Sequence, residues 1–204
     1  MTRLSHRLWD DNRDEAARIR AHGFVRGLGD GSLPPDRFRA YVAQDASFLE
    51  AFVRAYALCL AAAPSRDDLE AFAGLVAGVI DELRLHANYA RTLGIDMASV
   101  VPISATRAYV DFLLETARRG VLGETIAAMT PCMRLYAFLG QDLARGSVAP
   151  AYADWVRTYA DPGFEALAAS LEALLDRHAT DSAAVRDNYR RAMALEYGFF
   201  DANF

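Results

Sequence analysis

Apolar residues recur every three or four positions along almost the whole chain, and no stretch of four or more alternates apolar and polar with period two. That pattern predicts helices and argues against a sheet. Helices are expected near 3–21, 35–62, 66–93, 104–119, 123–145, 150–160, 163–178 and 182–201. Between them lie GLGDGSLPP, APSRDD, LGIDMASVVPIS, RRGVLG, RGSVAP, ADPG and HATDS, clusters of glycine, proline, aspartate and serine that stop helices. Pro35 suits a helix first turn, where its missing N–H costs nothing, and Ser104 and Asp181 are expected as N-caps. With no repeat, linker or low-complexity tract, residues 1–204 read as one all-α domain, a single helical bundle.

A helix turns about 100° per residue, so each segment can be projected to find polar residues stranded on apolar faces. The 35–62 helix has a stripe of Phe38, Tyr41, Val42, Phe48, Leu49, Phe52, Val53, Tyr56 and Cys59, with Asp45 near its centre. The last helix sets Glu196 among Val185, Tyr189, Ala192, Met193, Phe199 and Phe200. A carboxylate desolvated among aromatics needs a partner or a polar cavity, and its pKa rises. Both positions fit a buried structural pair as well as a general acid or base. The 123–145 helix presents Cys132 with Met129, Tyr136, Leu139 and Leu143, and carries Pro131 immediately before the cysteine. A cysteine there fits core packing or chemistry. Pro131 is expected to kink the helix or restart it, with Thr130 as a cap; a restart would set Cys132 at an amino-terminal dipole that favours a thiolate.

Composition narrows the chemistry. All 22 basic residues are arginine, which removes Schiff-base lysine catalysis and any P-loop. The net charge of −5 gives no reason to expect a nucleic-acid partner. The two cysteines, Cys59 and Cys132, lack metal-finger spacing. The charged amino terminus does not read as a signal peptide, and the longest apolar run, around LCLAAAP, is too short for a bilayer, so no membrane association and a cytoplasmic location are expected.

The segments FVRGLGDGSLPPDRFRAYVAQD, PCMRLYAFLG, WVRTYADPGF and LEYGFF, in that order, resemble the landmarks of the TenA family, also called thiaminase II. The resemblance runs from about Leu4 to the end of the chain. It implies a haem-oxygenase-like all-α fold, a homotetramer, no cofactor and no metal. It also implies a small pyrimidine substrate: hydrolysis of 4-amino-5-aminomethyl-2-methylpyrimidine to its 5-hydroxymethyl counterpart, and cleavage of thiamin. By the same resemblance Cys132 is the nucleophile on the electron-poor ring, Glu196 the acid/base, and Asp45 the group that reads the ring nitrogen and 4-amino group. Tyr109, Tyr136 and Tyr159 would supply pocket tyrosines and Phe199 an apolar wall. The chain departs from the family at Phe48, where a tyrosine commonly lies close to the nucleophile.

Two other readings compete. Glu82 and His86 stand at i and i+4 in VIDELRLHANYA, a spacing that can present two metal ligands, and some relatives on this fold are metal-dependent oxygenases. Only His6, His22 and His178 remain to complete a set, so a structural hydrogen bond is the expectation for His86. A non-catalytic or divergent pyrimidine-binding protein is the other, and Phe48 favours it. Cys132 together with Glu196 favours catalysis, because a binder needs neither a nucleophile nor an acid.

Overall fold

The computed structural model describes residues 2–204. Ten α-helices follow one another, with no strand among the described residues. They are α1 (Leu4–Asp11), α2 (Arg13–Arg20), α3 (Gly23–Asp30), α4 (Pro35–Ala61), α5 (Arg66–Thr92), α6 (Ser104–Arg118), α7 (Leu122–Leu143), α8 (Ala153–Ala160), α9 (Pro162–His178) and α10 (Ala183–Ala202). No helix among the described residues is long and apolar enough to cross a membrane.

At the centre stands α7, buried along almost its whole length and packed on α10, α9, α8, α6 and α4. Few of its residues are charged, and small ones let its neighbours come close. Gly140 is the clearest case, because a Cβ there would strike the backbone of Tyr159 and Ala160 on α8. That contact brings Tyr159 edge-on to Tyr136, with ring centroids 4.8 Å apart. The apolar stripes of α4 and α10 close over α7 from two sides, and their buried residues join one continuous core.

The structure departs from the sequence expectations at the amino-terminal end and at several caps. The expected 3–21 helix is two, broken at Asn12, whose side chain donates to the Leu8 carbonyl at 2.8 Å and so satisfies the end of α1. The two-turn helix α3 lies where glycines suggested only loop; Phe24, Val25 and Leu28 are buried, and Gly31 ends it at φ +82°, a conformation that favours glycine. The caps shift by one residue. Ile103 precedes α6, its N–H held by the Gln44 side chain at 2.9 Å. Ser182, not Asp181, caps α10 by accepting from the Val185 N–H.

The largest difference lies at Pro131. The helix neither stops nor restarts there: α7 runs from Leu122 to Leu143 with the proline inside it. Thr130 does not cap a new helix; its hydroxyl donates to the Ile126 carbonyl at 2.8 Å. Burial on all sides holds the helix together where propensity alone would break it, so Cys132 has no helix amino terminus beside it.

Candidate active site

The projected polar residues converge. Asp45 from α4, Cys132 from α7 and Glu196 from α10 are all buried, at 2%, 8% and 1% exposure. Asp45 and Cys132 line a closed cavity together with Phe48, Leu49, Phe52, Glu82, Met133, Tyr136, Tyr159 and Phe164. Its free volume is about 10 Å³, room for about one water molecule, so a ring-sized ligand requires the walls to move apart. A second, larger cavity of about 210 Å³ adjoins it and shares Glu82, Met133 and Phe164 with it.

Behind the cavity, Glu196 accepts a hydrogen bond of 2.8 Å from the Tyr109 hydroxyl, and the Cys132 thiol is its neighbour. Burial lifts its carboxyl to about 8 against the pull of Tyr109 and Cys132, with Asp45 adding to the rise. Burial likewise pushes the Cys132 thiol well above its ordinary range, and the charges of Glu196, Glu82 and Asp45 push it further. The thiol is therefore un-ionised at rest. The thiolate conceivable beside a helix terminus is absent because no terminus is there and the nearby charges are negative.

Asp45 faces His86, with the imidazole Nε2 2.6 Å from a carboxylate oxygen. The approach lies off the hydrogen-bond direction of both groups, so charge rather than directionality holds the pair. Burial lowers the basicity of His86, but Asp45 and Glu82 outweigh it and raise the imidazole to about 9, keeping it cationic near neutrality. The other ring nitrogen, Nδ1, lies 3.1 Å from the Glu82 carbonyl. Glu82 itself accepts a 2.5 Å hydrogen bond from Tyr159, and burial lifts its carboxyl to about 7. Among the described residues no group of three or more His, Cys, Asp or Glu side chains is arranged to hold a metal ion.

Not every expected wall residue touches the cavity. Tyr136 and Tyr159 do, Tyr136 being tied through the Tyr41 hydroxyl at 3.2 Å to Trp155. Tyr109 stands behind, holding Glu196. Phe199 also lies behind, packed on Tyr41 and Phe48 at centroid distances of 5.7 and 6.1 Å. Phe48 forms the wall itself, its ring tilted against that of Tyr109 with centroids 4.6 Å apart. Gln44 supports Asp45 indirectly: its side chain bonds Val101, Ile103 and Thr106 and pins the loop before α6. Glu82 is the residue whose place sequence reasoning missed. It was weighed only as a metal ligand, yet it interrupts the buried α5 stripe of Phe72, Leu75, Val79 and His86 as Asp45 interrupts that of α4. Both cysteines are free and buried.

Comparison with known proteins matches residues 9–203 to a model of the TENA/THI-4/PQQC family. A bifunctional TH2 protein of Arabidopsis thaliana, mitochondrial by its name, is 35% identical over 88% of the chain, which spans 34% of that protein. An aminopyrimidine aminohydrolase of Halalkalibacterium halodurans is 31% identical over 88% of the chain and 86% of its own length. Among solved structures, a TenA homologue from P. horikoshii superposes with a TM-score of 0.90 at 25% identity, covering 99% of this chain and 98% of that one. Haem oxygenase-1 of Synechocystis superposes at 0.67 with 13% identity over 98% and 92%, a likeness of fold alone, and this chain has the haem-oxygenase-like all-α fold.

Proposed function

The chain belongs to the TENA/THI-4/PQQC family, and from that premise we propose that it is an aminopyrimidine aminohydrolase of thiamin salvage. The substrate is 4-amino-5-aminomethyl-2-methylpyrimidine, and thiamin is a second molecule it cleaves. The observation that carries this reading is the buried Cys132 thiol with the buried Glu196 carboxyl as its neighbour, at a cavity walled by aromatic rings. Burial makes both the thiol and the carboxyl less acidic, so the Glu196 carboxylate is a stronger base than an exposed one. The proton can then pass from sulfur to Glu196 as the carbon–sulfur bond forms, and no free thiolate has to be maintained. Asp45, with His86⁺ behind it, reads the amino edge of the ring, and Tyr136, Tyr159 and Phe48 hold its faces. The protein acts in the cytoplasm as a homotetramer, as the resemblance implies.

The test is chromatography of 4-amino-5-aminomethyl-2-methylpyrimidine, and separately of thiamin, incubated with the wild-type protein and with Cys132→Ala. The expected outcome is conversion to the hydroxymethyl pyrimidine by the wild type and a loss of about a thousandfold or more in the variant. Absence of turnover by the wild type, with pyrimidine binding that Asp45→Ala abolishes, would leave a binding protein instead.

A further inference from the structure

Glu82 stands where the reaction just proposed leaves a task without a residue. Departure of ammonia from the exocyclic methylene needs a proton, and water must later give one up. Glu196 is poorly placed for both: it sits behind the cysteine, is 1% exposed, does not line the cavity and by that stage of the reaction holds the thiol proton. Glu82 does line the cavity, and of the two carboxyls that do, Asp45 and Glu82, it is the one that also lines the adjoining larger space through which an amine would leave. A hydrogen bond from the Tyr159 hydroxyl fixes its carboxyl.

We propose that Glu82 is the general acid of the leaving group, protonating the amine as the exocyclic carbon–nitrogen bond breaks and recovering that proton from the water that replaces it. The inference rests on the aminohydrolase reading. The steps balance. Cys132 sulfur bonds to the ring carbon and its proton passes to Glu196. The electron pair so placed in the ring expels the amine, which takes its proton from Glu82. Water adds to the resulting exocyclic methylene and gives its proton to the Glu82 carboxylate. The carbon–sulfur bond then breaks and Glu196 returns the proton to Cys132. Each carboxyl thus ends as it began, and the net change is water in, ammonia out.

The surroundings suit a group that both gives and takes a proton near neutrality. Facing Glu82 are Asp45 from α4, Cys132 from α7 and Tyr159 from α8, with His86 and Asp81 on its own helix. Burial and Asp45 favour its acid form, while His86 and the Tyr159 bond favour its carboxylate, and the balance lies close to neutral.

The proposal separates leaving groups. An amine cannot depart without a proton, whereas the thiazolium of thiamin departs as a neutral thiazole and needs none. Thiamin asks Glu82 only to accept the proton of the attacking water, which bulk water can also take. Steady-state rates of Glu82→Gln should therefore fall about a hundredfold or more on 4-amino-5-aminomethyl-2-methylpyrimidine, the usual scale for losing a general acid, and about tenfold or more less steeply on thiamin. Glu196→Gln, which impairs the thiol step common to both substrates, should lower the two rates alike. An equal fall on both substrates in Glu82→Gln would overturn the assignment, since a merely structural defect cannot sense the leaving group. A wild-type protein that turns over neither substrate would overturn the underlying function as well, so the two failures are told apart. Glu82→Asp keeps an acid at the site; if it retains no more amine-releasing activity than Glu82→Gln, the carboxyl is not the proton donor.

Discussion

Cys132 and Arg134 stand two residues apart on α7 and so point to nearly opposite sides of one helix. On one side the Arg134 guanidinium gives two hydrogen bonds of 2.8 Å to Glu172 and two of 2.8 and 2.9 Å to Glu165. Gln141 adds a third hydrogen bond to Glu165 at 2.7 Å. The two carboxylates share one guanidinium, and every one of their oxygens is hydrogen-bonded. On the other side Glu196, Glu82 and Asp45 gather around the thiol with only His86 to offset them, and two of the three are raised to about 8 and about 7. The first arrangement ties α7 to α9. The second costs stability and holds protons at carboxyls that would otherwise be ionised, which is the state acid–base chemistry near neutrality requires. One helix therefore carries a cluster compensated by a guanidinium and a full set of hydrogen bonds for structure, and an under-compensated one for reaction.

The contrast is sharpest at Glu196. A carboxyl ordinarily near 4.5 and raised to about 8 in the fold binds more protons folded than unfolded between those values. Its favourable share of stability is whole below about pH 4.5 and is lost as pH rises through about 8, a loss of a few kcal/mol for a group so deeply buried. Glu196→Gln removes the titration. The variant should lose about a hundred- to a thousandfold in kcat/KM, yet melt higher than the wild type at pH 8 and lose that advantage at pH 5. The wild-type kcat/KM on thiamin, whose leaving group needs no proton, should rise with pH toward about 8 as Glu196 becomes able to accept the thiol proton, and the rise should be missing in Glu196→Gln. Thermal melts at the two pH values and a pH–rate profile check both. A variant that is less stable at pH 8 would place Glu196 with the structural carboxylates.

How much of this contrast the sequence carried depends on what is local. Asp45 and Glu196 were visible because a charge in the centre of an apolar stripe is anomalous whatever the stripe packs against. Glu82 is the same kind of anomaly on α5, hidden by its spacing from His86, which suggested a metal instead. The helix boundaries from α4 onward follow apolar period and breakers to within a few residues. What stayed illegible was decided by contacts between distant segments. Pro131 breaks a helix in isolation but not inside a core that buries it on every side. The acidity of Cys132 depends on carboxyls supplied by three other helices, and no window of sequence contains them together. The short α3 escaped because its glycines spoke louder than the three apolar residues it buries on this bundle.

The compensated side should answer mutation in the opposite way. Arg134→Met keeps the apolar stem of the side chain but leaves Glu172, whose side chain is 14% exposed, without its partner. A destabilisation of about 2–3 kcal/mol is expected, below the cost of breaking a fully buried pair because Glu165 remains partly in water. The kcat of the folded protein should change by no more than severalfold. Chemical denaturation beside steady-state assays at low temperature measures the two effects independently. Activity lost without stability would mean that the two sides of α7 are coupled through the helix, and the division drawn here would fail.

The smallest expected effect belongs to Phe48, where the family commonly has a tyrosine. Its ring lies 4.6 Å from Tyr109 and 5.3 Å from Phe52, and it walls the same cavity as Cys132. Phe48→Tyr adds one hydroxyl to a space of about 10 Å³. In the resting protein that oxygen gains little, because the thiol is neutral. As carbon–sulfur bond formation draws the proton away, the sulfur passes through a charged state, and a neighbouring O–H then becomes worth about 1 kcal/mol. The expected result is a kcat/KM increase of less than about tenfold, carried by kcat, with stability lowered by about 1 kcal/mol or less for crowding the wall. That split matters more than its size. A gain in kcat would mean that the under-compensated side of α7 is limited by the charge on sulfur, and that the chain tolerates Phe48 because Glu196 takes the proton early. A loss, carried by KM, would mean that the flat apolar wall is what this chain has fitted to its ring, and that the missing hydroxyl reports a different substituent on the substrate instead of a weaker catalyst.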